Sequence, residues 1–92
     1  MKDILIYAHR ETVHHKLAGE VPDDEVCFWT VNGTPQQTGP GAEVLFTDGQ
    51  CVHARGAVID VEHGRLWFEP LEPCEEEVPC KPVTRGFRYV DR

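Results

Sequence analysis

The stretch FTDGQCVHARGAVIDVEHGRLWFEP, from Phe46 to Pro70, decides the fold of this chain. Two glycine turns, Asp48-Gly49 and His63-Gly64, frame a long run rich in valine and isoleucine. Tight turns between runs of β-forming residues are typical of antiparallel hairpins. The stretch therefore predicts a meander of three strands, at residues 43–47, 51–61 and 65–69.

A two-residue turn at His63-Gly64 also predicts the register of the second hairpin. The pairs on its apolar face are Val61 with Leu66 and Ile59 with Phe68, and those on its polar face are Glu62 with Arg65 and Asp60 with Trp67. If the same alternation of inward and outward side chains is continued towards the start of the strand, the apolar Val52 and Ala54 point outward. We therefore expect a β-bulge at Arg55-Gly56 that re-aims Arg55, with His53 as surface decoration. The alternative is a strand covered on both faces, which the run from Val44 to Phe46 also favours.

The rest of the chain adds three strands and one helix to this meander. The pattern predicts strands at residues 3–8, 25–31 and 86–90, a helix at 11–20, and loops at 32–41 and 70–82. Residues 1–92 therefore form one domain of the mainly β (α+β) class. We expect a small β-barrel of about five to six strands with one or two short helices.

The charge of the chain argues against a protein that coats nucleic acid generally, because such proteins are usually basic overall. The formal net charge is −7, with 16 acidic residues and only three lysines, at positions 2, 16 and 81. This balance fits either adaptation to high salt or an ordinary acidic protein, and both leave room for a local basic patch. The apolar segment Ile4 to Tyr7 is too short to span a bilayer and no signal peptide precedes it, so we expect a cytoplasmic protein without membrane contact.

The cysteines and histidines predict no metal site and no cofactor. Cys74 and Cys80 lie in CEEEVPC, which lacks the tight spacing of zinc knuckles, although this pair can close a disulfide in an oxidising environment. Cys27 and Cys51 stand singly in predicted strands and read as small buried residues. The neighbours His14 and His15 point about 100° apart on a helix, so they do not share a site easily.

No nucleophile elbow, phosphate loop or paired acid–base motif occurs, so we assign no catalytic residue. The constellation that remains combines aromatic with basic residues: Trp29, Trp67, Phe87 and Tyr89 accompany Arg10, Lys16, His53, Arg55, Arg85 and Arg88. Single-stranded nucleic acids are held by stacking on aromatic rings, with cations on the backbone. Most such aromatics in small domains are nevertheless core residues, and most arginines are solvated.

The order of elements resembles the ASCH group of the PUA-like β-barrel superfamily. The resemblance rests on a helix ending in Leu17-Ala-Gly-Glu20, on Gly41-Ala-Glu-Val44 where the family has a G-D-x-V strand, and on the following strand of the form Ala54-x-Gly-x-Val. It covers most of the chain as a pattern rather than as identical runs. The second strand, Val26 to Thr30, lacks the family's lysine and arginine, so no catalytic residue is carried over.

The resemblance implies a ligand cleft between the barrel and the N-terminal helix. Its candidate residues are Arg10, Lys16, Trp29, Thr30, Arg55 and Arg85. Among them Trp29 offers a stacking face, and Arg55 is expected to contribute if a bulge aims it there. The first hypothesis is a module that binds RNA or a modified nucleotide, and nothing in the sequence requires catalysis. The alternative is a protein-interaction or regulatory domain that presents Glu75-Glu-Glu77 to a protein partner.

Overall fold

The computed structural model of the protein describes residues 2–17, 19, 21–22, 25–31, 33–78 and 87–90. Its strands are β1 Asp3–Tyr7, β2 Cys27–Thr30, β3 Glu43–Thr47, β4 Val52–Glu62, β5 Arg65–Phe68, β6 Glu72–Glu76 and β7 Phe87–Val90. Within the described residues one α-helix, α1 Arg10–Val13, continues into the 3₁₀ turn His14–Lys16. The mainly β prediction is confirmed, with seven strands where six were expected. No helix in these ranges is long and apolar enough to cross a bilayer.

The strands form one sheet in which β4 is the central element. The strand order is β2-β5-β4-β3-β1-β7, and β6 also pairs with β4. Only β1 and β3 run parallel; the other described pairs are antiparallel. β5 and β6 follow one another along the edge of β4 that faces away from β3. In the described part of the chain the sheet is open, because β2 and β7 at its two ends do not pair with each other.

The helical segment is shorter than the helix predicted at residues 11–20. It ends at Lys16, and the next residue, Leu17, is extended and forms an isolated parallel bridge with Leu71. The backbone N–H of Leu71 donates to the carbonyl oxygen of Lys16 at 2.9 Å. A tertiary contact thus replaces the last turns of the predicted helix, since pairing with a distant segment outweighs local propensity.

The sheet is packed on both of its faces. The larger core contains Ile4, Ile6, Val44, Phe46, Ala54, Val58, Leu66 and Phe68, and the smaller one contains Leu5, Leu45, Val52 and Val90. Neighbouring residues of β3 therefore alternate between the two cores, and the run from Val44 to Phe46 is wholly buried. The alternative of a strand covered on both faces is confirmed for β3, and burying both faces accounts for its continuous apolar sequence.

The bulges of β4 are not where the sequence predicted one. The predicted pairs of Val61, Asp60 and Glu62 with β5 are confirmed, whereas Phe68 lies opposite Val58 and leaves Ile59 as the extra residue. A second irregularity falls at His53, between Val52 and Ala54. The expected bulge at Arg55-Gly56 is wrong, because both residues keep regular register with β3.

Glycine at position 56 has a packing reason instead of a bulge. A Cβ at this position would lie 2.9 Å from Leu71 Cδ2 and 3.1 Å from the carbonyl oxygen of Glu69. The backbone of β4 thus approaches the segment between β5 and β6 so closely that a side chain here would require Leu71 or the main chain of Glu69 to move. The slip in hydrophobic phase along β4 is real, but it arises at Ile59 and His53.

The bulge at His53 turns this side chain into the protein. His53 is 4% exposed, and its Nε2 donates to the carbonyl oxygen of Ala8 at 2.8 Å. The prediction that His53 is surface decoration is therefore wrong. The imidazole satisfies a main-chain acceptor just past the end of β1, which would be costly to leave unpaired in the interior.

The predicted loop at residues 70–82 contains β6. Two of its residues pair with β4 beside Pro73, which lies opposite Ala54. Proline and two successive glutamates are untypical of a strand, but an edge strand tolerates proline when its nitrogen faces away from the ladder. Residues 79–82 of this loop, and with them Cys80 of the proposed disulfide, lie outside the described residues.

Gly56→Ala should destabilise the fold by about 1–3 kcal/mol, because the added methyl group must displace Leu71 or the main chain of Glu69. Urea unfolding followed by circular dichroism measures the change. The matched control is Ala57→Ser at the neighbouring exposed position, which should change stability by less than about 0.5 kcal/mol. Equal stabilities of the two variants would contradict the close approach.

Candidate functional site

The candidate site is a cleft of about 320 Å³ between the helical segment and β2. Its lining residues are Thr12, His15 and Lys16 from the helical segment and Phe28, Trp29 and Thr30 from β2. We call this cavity the cleft. Three of the six residues predicted from the sequence, Lys16, Trp29 and Thr30, meet there. This volume lies at the small end of the range for small-molecule sites.

Alternation along β2 decides what its side chains do. Cys27 and Trp29 face the main core, while Phe28 and Thr30 face outward and are exposed. The Trp29 ring packs edge-to-face on Phe46, with 5.2 Å between ring centroids, and is only partly buried. Phe28, 40% exposed, is the freer aromatic surface of the strand. The cleft therefore has one anchored aromatic ring and one open one.

Cations gather around the open ring of Phe28. The guanidinium of Arg65 lies 5.0 Å from the ring centroid and the Lys16 ammonium 5.8 Å from it, both within cation–π range. The ring of Trp67, opposite Phe28 on β5, is 5.2 Å away between centroids, and its Nε1 donates to Glu62. Phe28 thus lies in a basic and aromatic surface on a chain whose net charge is −7.

Lys16 is held in place through its main chain as well as its side chain. Its carbonyl oxygen accepts the hydrogen bond from Leu71, and its ammonium donates to His15 Nε2 at 3.2 Å. The Cys27 thiol lies 3.9 Å from the same carbonyl oxygen. Burial raises the pKa of the Cys27 thiol, and the nearby Lys16 ammonium offsets part of that rise. Cys27 is therefore a protonated packing residue behind the cleft at neutral pH.

Lys16 and Arg65 differ from Arg10 and Arg55 in their freedom to meet an anion. Neither forms an ion pair with any residue in the described ranges. Arg10 and Arg55, in contrast, each lie close to two carboxylates. A cation already beside carboxylates has less to gain from a phosphate, so of these four cations the two near Phe28 are the more available to a ligand.

Arg10 does not line the cleft. Its guanidinium lies 3.8 Å from Asp48 and 3.9 Å from Glu75, and NH2 approaches Cys51 Sγ at 3.4 Å. It borders a different cavity of about 310 Å³ with Glu11 and His14. The start of α1 is thus tied to the loop between β3 and β4 rather than to β2.

Arg55 lies in a third place, an acidic cavity of about 300 Å³. Its NH1 donates to Glu76 at 2.9 Å, and its Nε lies 3.9 Å from Glu43. Because no bulge re-aims it, Arg55 points to the carboxylates of the neighbouring strands β3 and β6. Arg85, the last predicted residue, lies outside the described residues.

Sequence reasoning missed Thr12, His15, Phe28 and Arg65. For Phe28 and Arg65 the sequence contains a pattern that could have identified them. Strict alternation from Cys27 to Val31 puts Phe28 on the outward face, and the confirmed hairpin register puts Arg65 on that face of the adjacent β5. Thr12 and His15 depend on how the helical segment docks, which local patterns do not encode.

The described residues contain no cluster of histidine, cysteine or carboxylate side chains that would hold a metal ion. Cys27, Cys51 and Cys74 are free thiols. Burial also raises the pKa of the Cys74 thiol, whose Sγ donates to the carbonyl oxygen of Val52 at 3.5 Å.

Comparisons of the chain with protein-family models, with curated proteins and with solved structures found no match. The resemblance to the ASCH group therefore stays a prediction from the sequence. The site is interpreted from its own geometry.

Asp48 supplies a test of the electrostatics beside Arg10. Its carboxylate accepts from the main-chain N–H of Gln50 at 2.9 Å and of Cys51 at 3.3 Å, and these bonds lower its pKa. A lowered pKa contributes stability above the pKa of the unfolded chain, and this is lost as pH falls through the folded value. Asp48→Asn should therefore be less stable than the parent at neutral pH, with a difference that shrinks in acid.

Urea unfolding between about pH 7 and about pH 3 measures this difference. Glu25→Gln, which removes one exposed carboxylate, controls for the change in net charge. A difference between Asp48→Asn and the parent that stays constant across the range would contradict the role of the carboxylate.

Proposed function

We propose that the protein is a nucleic-acid-binding module that holds single-stranded RNA, or a modified nucleotide, in the cleft. The observation that carries this proposal is the exposed Phe28 ring with the cations of Lys16 and Arg65 around it. Stacking on aromatic side chains with basic groups on the backbone is the usual way to bind single strands. Trp29 contributes a second, partly buried ring to the same cleft.

The acidic surface is compatible with this proposal because the charge is unevenly distributed. Ion pairs place Arg10 and Arg55 against carboxylates, while Lys16 and Arg65 keep their charge for a ligand. Charges elsewhere on the surface act weakly on the cleft once they lie beyond the Debye length, about 8 Å at physiological salt. Two nearby cations suit a short single strand or one nucleotide rather than a long duplex.

The position of the cleft adds support. The resemblance to PUA-like barrels implies a ligand between the sheet and the N-terminal helix, and the cleft lies between the helical segment and β2. An ASCH-type fold remains part of the proposal, with the described sheet open between β2 and β7. The substitution of aromatic residues for the family's charged positions on this strand favours recognition of a base over recognition of a bare phosphate.

The alternative, a domain that presents its acidic segment to a protein partner, has less support. Two members of that segment are already engaged, Glu75 near Arg10 and Glu76 with Arg55. A partner would have to compete with these arginines. Titration with RNA separates the two hypotheses.

Short single-stranded RNA should quench the tryptophan fluorescence of the purified protein. Trp29 lines the cleft and Trp67 contacts Phe28, so both residues report on a base that stacks there. The quenching should weaken as salt rises, because phosphate contacts release counterions. Unchanged fluorescence at low salt, with the fold verified by circular dichroism, would overturn the proposal and favour a protein partner.

Lys16→Gln should reduce the slope of log K against log salt concentration by about 0.7, the value for one phosphate contact on a single strand. The matched control is Arg10→Gln, which removes a cation of the same helical segment outside the cleft. Its salt slope should equal that of the parent. Equal slopes for Lys16→Gln and Arg10→Gln would place the phosphate contacts elsewhere.

A further inference from the structure

The edge of β2 that faces away from β5 carries main-chain groups without a partner in the described ranges. The N–H of Val31 donates to the carbonyl oxygen of Gly64 at 3.0 Å, which fixes the alternation of the β2–β5 ladder. Cys27 and Trp29 therefore direct their main-chain groups to β5. Phe28 and Thr30 direct theirs to the opposite side, where none of the described residues is hydrogen-bonded to them.

This edge coincides with the cleft. Phe28 and Thr30 both line it, and across from them stand Thr12, His15 and Lys16. The N–H and C=O groups of these two strand residues therefore look into the same space in which the Phe28 ring and the Lys16 ammonium lie. A ligand in the cleft meets a donor and an acceptor side by side, next to a stacking surface.

We infer that the main chain of Thr30 and Phe28 reads the base edge of the bound nucleotide, an inference that rests on the proposed function. The Watson–Crick edge of each nucleobase carries a hydrogen-bond donor next to an acceptor. This pair is complementary to the C=O and N–H that one strand residue presents on the same side. Main-chain groups in a paired sheet are held rigidly. They select a base with an unblocked edge without any specialised side chain.

The dimensions favour a base over an added peptide strand. β2 has four residues, and only two of them present main-chain groups to the cleft. The helical segment borders the other side of a space of about 320 Å³. Addition of a strand needs a longer open edge to accumulate main-chain hydrogen bonds. A single base fits beside two residues.

The ligand itself provides the first test. Oligo(U) and oligo(A) are titrated into the intact protein, and the tighter of the two is compared with the same oligomer built from the neutral analogue N3-methyluridine or N6,N6-dimethyladenosine. Methylation removes or blocks one position of the Watson–Crick edge and leaves the phosphates and the stacking face intact. The expected result is a loss of affinity of about tenfold or more, since a main-chain group is left unpaired.

The protein provides the second test, Thr30→Pro against Thr30→Val. Proline removes the N–H that points into the cleft and breaks no hydrogen bond to β5, a position where an edge strand tolerates it. Valine removes the hydroxyl but keeps the N–H and the branched shape. Both variants lack the hydroxyl and differ in the N–H, so Thr30→Pro should bind the unmodified oligomer about tenfold more weakly than Thr30→Val.

The outcomes separate this inference from the proposed function. If methylated and unmodified oligomers bind equally, the base-reading edge is refuted while RNA binding stands. If no oligomer binds the folded parent, the proposed function itself fails. Circular dichroism verifies the fold of Thr30→Pro, and if that variant is unfolded the methylated oligomers decide the question alone.

Discussion

The hydrogen bonding of β4 along both of its edges is the constraint on which the rest of the structure depends. β3 takes one edge, and β5 followed by β6 takes the other, so the long strand organises both cores. The irregularities at His53 and Ile59 allow this one strand to pair with three others, because each extra residue changes the face of the sheet on which the next side chains lie. The position of β2 follows in turn, because it pairs with β5.

The parts of the fold that could be predicted are those in which the alternation of apolar and polar residues and the type of turn indicate the same strand register. β3 has the predicted bounds. The β4–β5 hairpin has the predicted register near His63-Gly64, because the alternation of apolar residues and the length of the turn agree on one register. The location of the bulge could not be predicted. Glycine serves equally for a bulge and for close packing, and only the approach of Leu71 to Gly56 distinguishes them. β6 was not predicted, because its sequence lacks β-forming residues and its formation depends on pairing with β4.

The candidate site was predicted in part for a similar reason. Lys16, Trp29 and Thr30 meet in the cleft because each lies on an element whose place in the chain was correctly identified. Arg10 and Arg55 lie elsewhere because carboxylates distant in sequence, such as Asp48 and Glu76, attract them. Such pairings depend on tertiary geometry. The acidic composition therefore has a local consequence, since it determines which cations stay free for a ligand.

The hydrogen bond from Leu71 to the carbonyl oxygen of Lys16 has a consequence for the kinetics of association. Leu71 lies between β5 and β6, and β5 also carries β2, so both walls of the cleft are attached to one continuous stretch of chain. The cleft is thus preorganised, and a ligand would enter without waiting for a hinge to close. The association rate would then be governed by diffusion and by the local electrostatic field of Lys16 and Arg65. Differences in affinity between ligands would appear mainly in their dissociation rates.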